Sequence, residues 1–110
     1  MEEWKMISFA PHYEVSNEGR IRNATTKRIL TPTKIRKNHN QQTIFLFVRR
    51  DYFFQREQHT ISQIVYNHWC RQEGERETYY FKNDYKVSGN RIGHRDGNVY
   101  NNKADNLYRY

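Results

Sequence analysis

At 110 residues the chain has room for one domain, or for two very small units sharing a modest core, and none for two independent enzymes. Lys and Arg number 19 against 12 Asp and Glu, a formal net charge of +7 that predicts attraction to a polyanion, with nucleic acid the leading partner. One cysteine, Cys70, excludes an internal disulfide framework and a multi-cysteine zinc knuckle, and no run approaches the ~18 apolar residues that span a bilayer, so no membrane association is expected.

The opening "MEEWKMISF" is acidic at its start, unlike the basic-then-apolar order of a signal peptide, and predicts a soluble protein of a reducing cytoplasm. "YEVSNEGRIRN" then reads as strand, turn, strand: Tyr13 and Val15 alternate with polar residues, and Ser16-Asn17-Glu18-Gly19 offers turn chemistry with Gly19 at positive φ. With Ile21 pointing into the core, Arg20 and Arg22 emerge together on the opposite face. That pair makes either a phosphate clamp or a solvated hairpin edge whose charges discourage aggregation. Lys27, Arg28, Lys34, Arg36 and Lys37 extend the basic stretch.

The segment Glu2 to Asn23, with Trp4, Lys5, Ile7, Tyr13, Val15, Ser16, Asn17, Gly19, Arg20, Ile21 and Arg22, resembles the nuclease-associated modular domain at the N-terminus of many phage and intron HNH homing endonucleases. The resemblance implies that Arg20, Arg22, Lys27, Arg28, Lys34, Arg36 and Lys37 face a DNA backbone, contacts that position a protein without reading sequence. It also implies a phage-type protein working in the cytoplasm of an infected or host bacterial cell. Residues 1–40 form this module in our reading, and 41–110 an HNH-like region, the two making one compact unit.

"TIFLFV", Thr43 to Val48, is β-branched and aromatic with apolar residues on both faces, the pattern of a buried strand. "YFFQ" from Tyr52 answers it across an Arg49-Arg50-Asp51 turn as a hairpin. A helix over 60–70 follows, with Thr60 as cap and Gln63 three residues on; Ile61, Ile64, Val65, His68 and Trp69 fall on one apolar face. His68 beside that stripe reads as a satisfied boundary residue and Cys70 as core or boundary. Where the resembled family carries a His-Arg pair in this helix, the chain has Ser62-Gln63. Beyond it, Arg71 to Arg91 is charged, and Tyr79, Tyr80 and Phe81 form either a strand or an exposed aromatic patch for a host or phage protein partner.

The stretch Gly93 to Leu107, "GHRDGNVYNNKADNL", is almost devoid of apolar content. Its His94, Asp96, Gly97, Asn98, Asn101, Asn102, Asn106 and Leu107 agree with the HNH family pattern at each of those positions. Carried over, the resemblance makes His94 the general base, since a neutral imidazole can take the proton from an attacking water. It makes Asn106 the residue that fixes the loop and the orientation of His94, places Arg95 among the nucleic-acid contacts, and implies Mg2+ or another divalent cation for an active enzyme. Asp96 to Asn102 would form a loop whose side chains bond backbone amides. Two departures bear on catalysis: the position before the His, often an acid or Asn that ligates metal, is Gly93, and the family's following helix with a further ligand lies past Tyr110. Asp96 and Asp105 are the remaining metal-ligand candidates, with His59 and His68 conceivable substitutes.

The fold class expected is α+β: a small antiparallel N-terminal sheet, a central hairpin packed by one helix, and a C-terminal ββ remnant of the HNH motif, loop 92–108, without its final helix. The function expected is DNA binding by a protein of homing-endonuclease descent with nuclease chemistry lost or weak. Alternatives are an active metal-dependent nicking endonuclease and a phage protein that binds and inhibits a host nucleic-acid enzyme.

Overall fold

The computed structural model describes residues 1–34, 41–50, 52–76 and 91–110. Its first sheet is antiparallel, in the order β1 (Trp4–Ile7), β2 (Ala10–Ser16), β3 (Ile21–Asn23). Along β2 the buried residues Ala10, Tyr13 and Val15 set the inner face, and Val15 pairs with buried Ile21 across the turn. The Ser16–Arg20 turn closes by Ser16 N–H to Arg20 O (2.8 Å), Gly19 N–H to Ser16 O (3.1 Å) and Ser16 Oγ accepting from the Glu18 and Arg20 amides. Gly19 has φ +87°, as the turn chemistry requires. Strand β1 lay hidden in the sequence because only Ile7 of its four residues is buried.

Strands β4 (Thr43–Arg50) and β5 (Phe53–Thr60) form a two-stranded hairpin in register from Thr43 opposite Thr60 to Arg50 opposite Phe53. The expected burial on both faces is corrected here. Ile44, Leu46 and Val48 are at most 2% exposed, whereas Phe45 and Phe47 on the alternate face are 37% and 52% exposed. A strand side-chain period of 2 puts these sets on opposite sides, and only one side meets the rest of the core.

The helix is shorter and less regular than the 3.6-residue period suggested. Helix α1 (Ile61–Val65) passes into a π-helical turn, Tyr66–Cys70, in which the Arg71 amide bonds Tyr66 O at i to i+5 (2.9 Å). Thr60 occupies the N-cap position in an extended conformation without a side-chain capping bond, so the expected cap with Gln63 is not made. Instead the Ile61 amide is satisfied by Gln42 O, and Ser62 Oγ donates to Gln41 Oε1 (2.8 Å). All five residues of α1 are buried, which explains why Ser62 and Gln63 are tolerated only with fixed neighbours.

The last unit is β6 (Ile92–His94) paired antiparallel with β7 (Leu107–Arg109), joined by a loop and a 3-10 turn over Ala104–Asn106. Ile92 and Leu107 join Ile7, Val15, Ile44 and Ile64 in a single core, so all three sheets and the helix share it. Small antiparallel sheets around one helix make this an α+β fold, as the sequence led us to expect. Among the described residues no helix is long and apolar enough to cross a membrane.

The hairpin's two faces predict opposite mutational costs. Leu46→Ala should destabilise by about 2–5 kcal/mol through lost burial and a residual cavity, and Phe47→Ala by no more than about 0.5 kcal/mol. Urea denaturation of the two variants checks this, and comparable losses at both positions would contradict the orientation.

Candidate functional site

The polar loop between β6 and β7 is organised around one carboxylate. Asp96 Oδ1 accepts from the Asn98 amide (2.8 Å) and from Asn106 Nδ2 (2.9 Å), while Oδ2 accepts from Asn101 Nδ2 (2.8 Å). Asn106 returns the contact: its Oδ1 accepts from the Asp96 amide (3.1 Å), and its Nδ2 also donates to Asn101 O (2.8 Å). Gly97 turns the chain at φ +74°, its amide bonding His94 O. Hydrogen bonds from Asn101, Asn106 and the Asn98 amide hold the Asp96 carboxyl down to about 2.

His94 stands at the end of β6 with Nε2 2.9 Å from Asn102 Oδ1, so Nε2 carries the proton and Nδ1 presents the lone pair. Its orienting partner is therefore Asn102 and not Asn106, which the sequence had assigned to both tasks. Asn102 is buried, and its Nδ2 reaches Gln42 Oε1 at 3.4 Å, linking the imidazole to the start of the central hairpin. Asn102 lies only eight residues from His94, but the resemblance places it among loop side chains that bond backbone amides, which hides this role.

Asn102 also sets how the N-terminal turn docks. A Cβ on Gly19 would lie 2.6 Å from Asn102 O and 2.7 Å from its carbonyl carbon, so position 19 requires glycine for close approach as well as for φ. The Ala104 amide donates to Asn17 O (2.8 Å), and Lys103 Nζ lies 3.6 Å from Glu18. The turn of the first sheet and the polar loop thus form one surface.

Among the described residues, those around His94 do not assemble a site for a divalent cation. A Cβ at Gly93 would fall 2.4 Å from Tyr108 Cζ and 2.6 Å from its hydroxyl oxygen, so the place of a preceding ligand is filled by the Tyr108 ring from the paired strand. Three amide donors engage Asp96, two on Oδ1 and one on Oδ2, so most of its lone pairs are turned to the loop. Asp105 lines a different feature, a cleft of about 610 Å3 shared with Tyr66, Glu75, Arg95 and Arg109. Among the described residues no three His, Cys, Asp or Glu side chains gather in a way that could hold a metal ion. His59, conceivable as a ligand, instead lies 3.0 Å from Glu57 Oε1 and packs on Phe9.

His68 is satisfied on both ring nitrogens, with Nδ1 2.8 Å from Ile64 O and Nε2 accepting from the Ser8 amide at 3.0 Å. Its backbone carbonyl takes a bond from Lys5 Nζ, whose ammonium sits 4.2 Å from the Trp69 ring centroid; the Trp69 indole donates to Val15 O. Cys70 donates to Ala104 O, and burial pushes its thiol up to about 11, leaving it protonated and unreactive at neutral pH.

The predicted basic contacts divide. Arg20 forms a two-point pair with Glu2, through Nε to Oε2 at 2.8 Å and a second bond from its terminal nitrogen to Oε1. Arg22 Nε and Lys27 Nζ both reach Glu14 Oε1, at 2.8 and 3.2 Å. Trp4 lies between the arginines, with guanidinium carbons 3.9 Å (Arg22) and 5.8 Å (Arg20) from its ring centroid. These partners hold the Glu2 and Glu14 carboxyls below their usual range. Arg20 and Arg22 meet around Trp4, each paired with a carboxylate that spacing did not reveal. Arg28, Lys34 and Arg95 are exposed. Arg36, Lys37 and the Tyr79, Tyr80 and Phe81 patch lie outside the described residues.

A three-stranded module followed by a hairpin, a buried helix and a His-headed strand–loop–strand is similar to the fold of HNH homing endonucleases, and residues 2–46 match the NUMOD4 motif. The structure of the HNH homing endonuclease I-HmuI, described as "DNA binding and cleavage by the HNH homing endonuclease I-HmuI", superposes with a TM-score of 0.67 at 28% identity. The match covers 98% of this chain and 52% of that one, so the chain spans about half the length of its structural relative. No curated protein matches the sequence.

The Asp96 network has a readable pH dependence. A carboxyl lowered from 3.8 to about 2 in the folded chain adds stability that is complete above 3.8 and is lost as pH falls through about 2. NMR of the Asn101 and Asn106 side-chain amides should show the loop holding until well below pH 3.8. A transition centred near 3.8 would mean that the hydrogen bonds to Asp96 are not made.

Proposed function

We propose that the chain binds DNA through its phosphate backbone and that its HNH-like loop serves as folded scaffold, with nuclease chemistry lost or weak. The observation that carries the reading is the Tyr108 ring from the paired strand standing where a Cβ at position 93, just before His94, would go. The NUMOD4 match, the I-HmuI likeness and the +7 charge support the DNA part.

A second reading has one observation in its favour. The bond from His94 Nε2 to Asn102 leaves Nδ1 able to accept a proton from water, the arrangement a general base needs. In that reading the protein is a metal-dependent nicking endonuclease whose cation is held by groups other than those around Gly93.

Supercoiled plasmid incubated with equimolar protein in Mg2+, Mn2+ or EDTA, with His94→Ala in parallel, separates the two. The proposal expects DNA retention that falls with rising salt and no metal-dependent open-circular product. Nicking that requires metal and disappears in His94→Ala would replace it with the second reading.

The ion pairs of the first sheet give a further expectation. Because Glu14 occupies Arg22 and Lys27, Glu14→Gln should free cations for phosphate, raising affinity at low salt and steepening the log K against log [salt] slope by roughly 0.9 for each added phosphate contact. An unchanged slope in salt titrations would place the DNA away from this face.

A further inference from the structure

The outward face of the β4–β5 hairpin is used by nothing described so far. Its register sets Phe47 opposite Arg56 and Arg49 opposite Phe54, so two successive cross-strand positions each match an aromatic ring with a guanidinium. Phe47 and Phe54 are 52% and 47% exposed, against at most 2% for the alternating residues on the inner face of β4. Arg56 already lies on Phe45, its guanidinium carbon 4.0 Å from the ring centroid, and His12 stacks against Phe54 at 4.8 Å. None of the hairpin residues that alternate onto this face is a carboxylate. That distinguishes it from the first sheet, where Glu2 and Glu14 cover the cations.

Exposed rings on a rigid strand, interleaved with cations, suit a partner that brings flat π faces and negative charge together. Intact duplex offers the charge but keeps its base faces stacked; an unpaired stretch offers both. Phe47 and Phe54 are diagonal neighbours across the two strands, roughly 7 Å apart, about twice the 3.4 Å rise between stacked bases, so a base fits the interval between their rings. The Arg56–Phe45 stack shows that the face accepts a planar cationic group. We propose that this hairpin face binds unpaired nucleotides, its phenylalanines stacking on bases and Arg49 and Arg56 meeting the adjoining phosphates. The inference rests on the DNA-binding reading and adds to it a preference for opened over fully paired DNA.

The test is fluorescence anisotropy at fixed salt with a short duplex and with the same duplex carrying a single-stranded thymine gap. It compares the wild-type chain with Phe47→Ala/Phe54→Ala, both side chains being exposed and the variant's fold checked by circular dichroism. The expected result is tighter binding of the gapped DNA by about tenfold, lost in the double variant while duplex affinity is unchanged. A 2-aminopurine placed in the gap should be quenched by the wild type and not by the variant. Equal affinity of the wild type for both DNAs, or an intact preference in the variant, overturns the inference while leaving DNA binding standing. Failure of the wild type to bind either DNA removes both. A wild-type dimer in sedimentation that becomes monomeric in the double variant would assign the face to a second copy of this chain, and also overturns it.

Discussion

The close approach of Gly19 to the carbonyl of Asn102 is the constraint on which the assembled site depends. One backbone position in the N-terminal turn meets one in the C-terminal loop at a distance that leaves no room for a β-carbon. Asn102 then reaches in two further directions, to the imidazole of His94 and to Gln42 at the head of the hairpin. A buried polar side chain is stable only with its hydrogen bonds made, so Asn102 forces the turn, the hairpin and the loop into a single arrangement. The orientation of His94 is set by Asn102 in its own loop and, through Asn102, by the turn and the hairpin that meet it.

A net charge of +7 does not mean an open positive surface at the first sheet. Arg20, Arg22 and Lys27 are each paired, with Trp4 as a platform between the guanidinium groups. Surface ion pairs of this kind are worth about 0–1 kcal/mol each, so exchanging a carboxylate for a phosphate is nearly neutral in contact energy. What then favours the nucleic acid is the release of its counterions, a term set by salt and independent of base sequence. In the free protein the pairs hold the two arginines around Trp4.

Legibility followed the range of the interactions. The Gly19 turn, the α+β class and the polar loop could be read because each is built from residues close in sequence with well-marked chemistry. Strand β1 could not, since its inner face amounts to Ile7 alone and its partners are supplied by β2. The helix lies where its apolar period places it, but its second half is a π-helical turn from which His68 meets the Ser8 amide and Trp69 meets Val15 O, partners far away in sequence. The hairpin's exposed phenylalanines read as core in the sequence because composition cannot say which face of a strand is covered. At the site, the role of Asn102 is hidden because the resemblance places it among loop side chains that bond backbone amides.

The family-like spacing of the loop is accounted for by folding alone. Asp96 must accept three bonds, Gly97 must turn at positive φ, Asn98 and Asn101 must satisfy the loop, and Asn106 must close it onto Asp96. Every one of these residues bonds to the loop itself, so their presence reports a loop geometry and carries no information on whether a phosphodiester is cleaved. Among the described residues, two positions beside the loop bear on it. His94 retains an oriented ring with a lone pair to offer, while Gly93 lies under the Tyr108 ring from the paired strand. A ligand at 93 would have to displace an aromatic side chain before it could meet a cation, whereas the scaffold around it would stay as it is. Loop folding and any chemistry at His94 therefore rest on different residues.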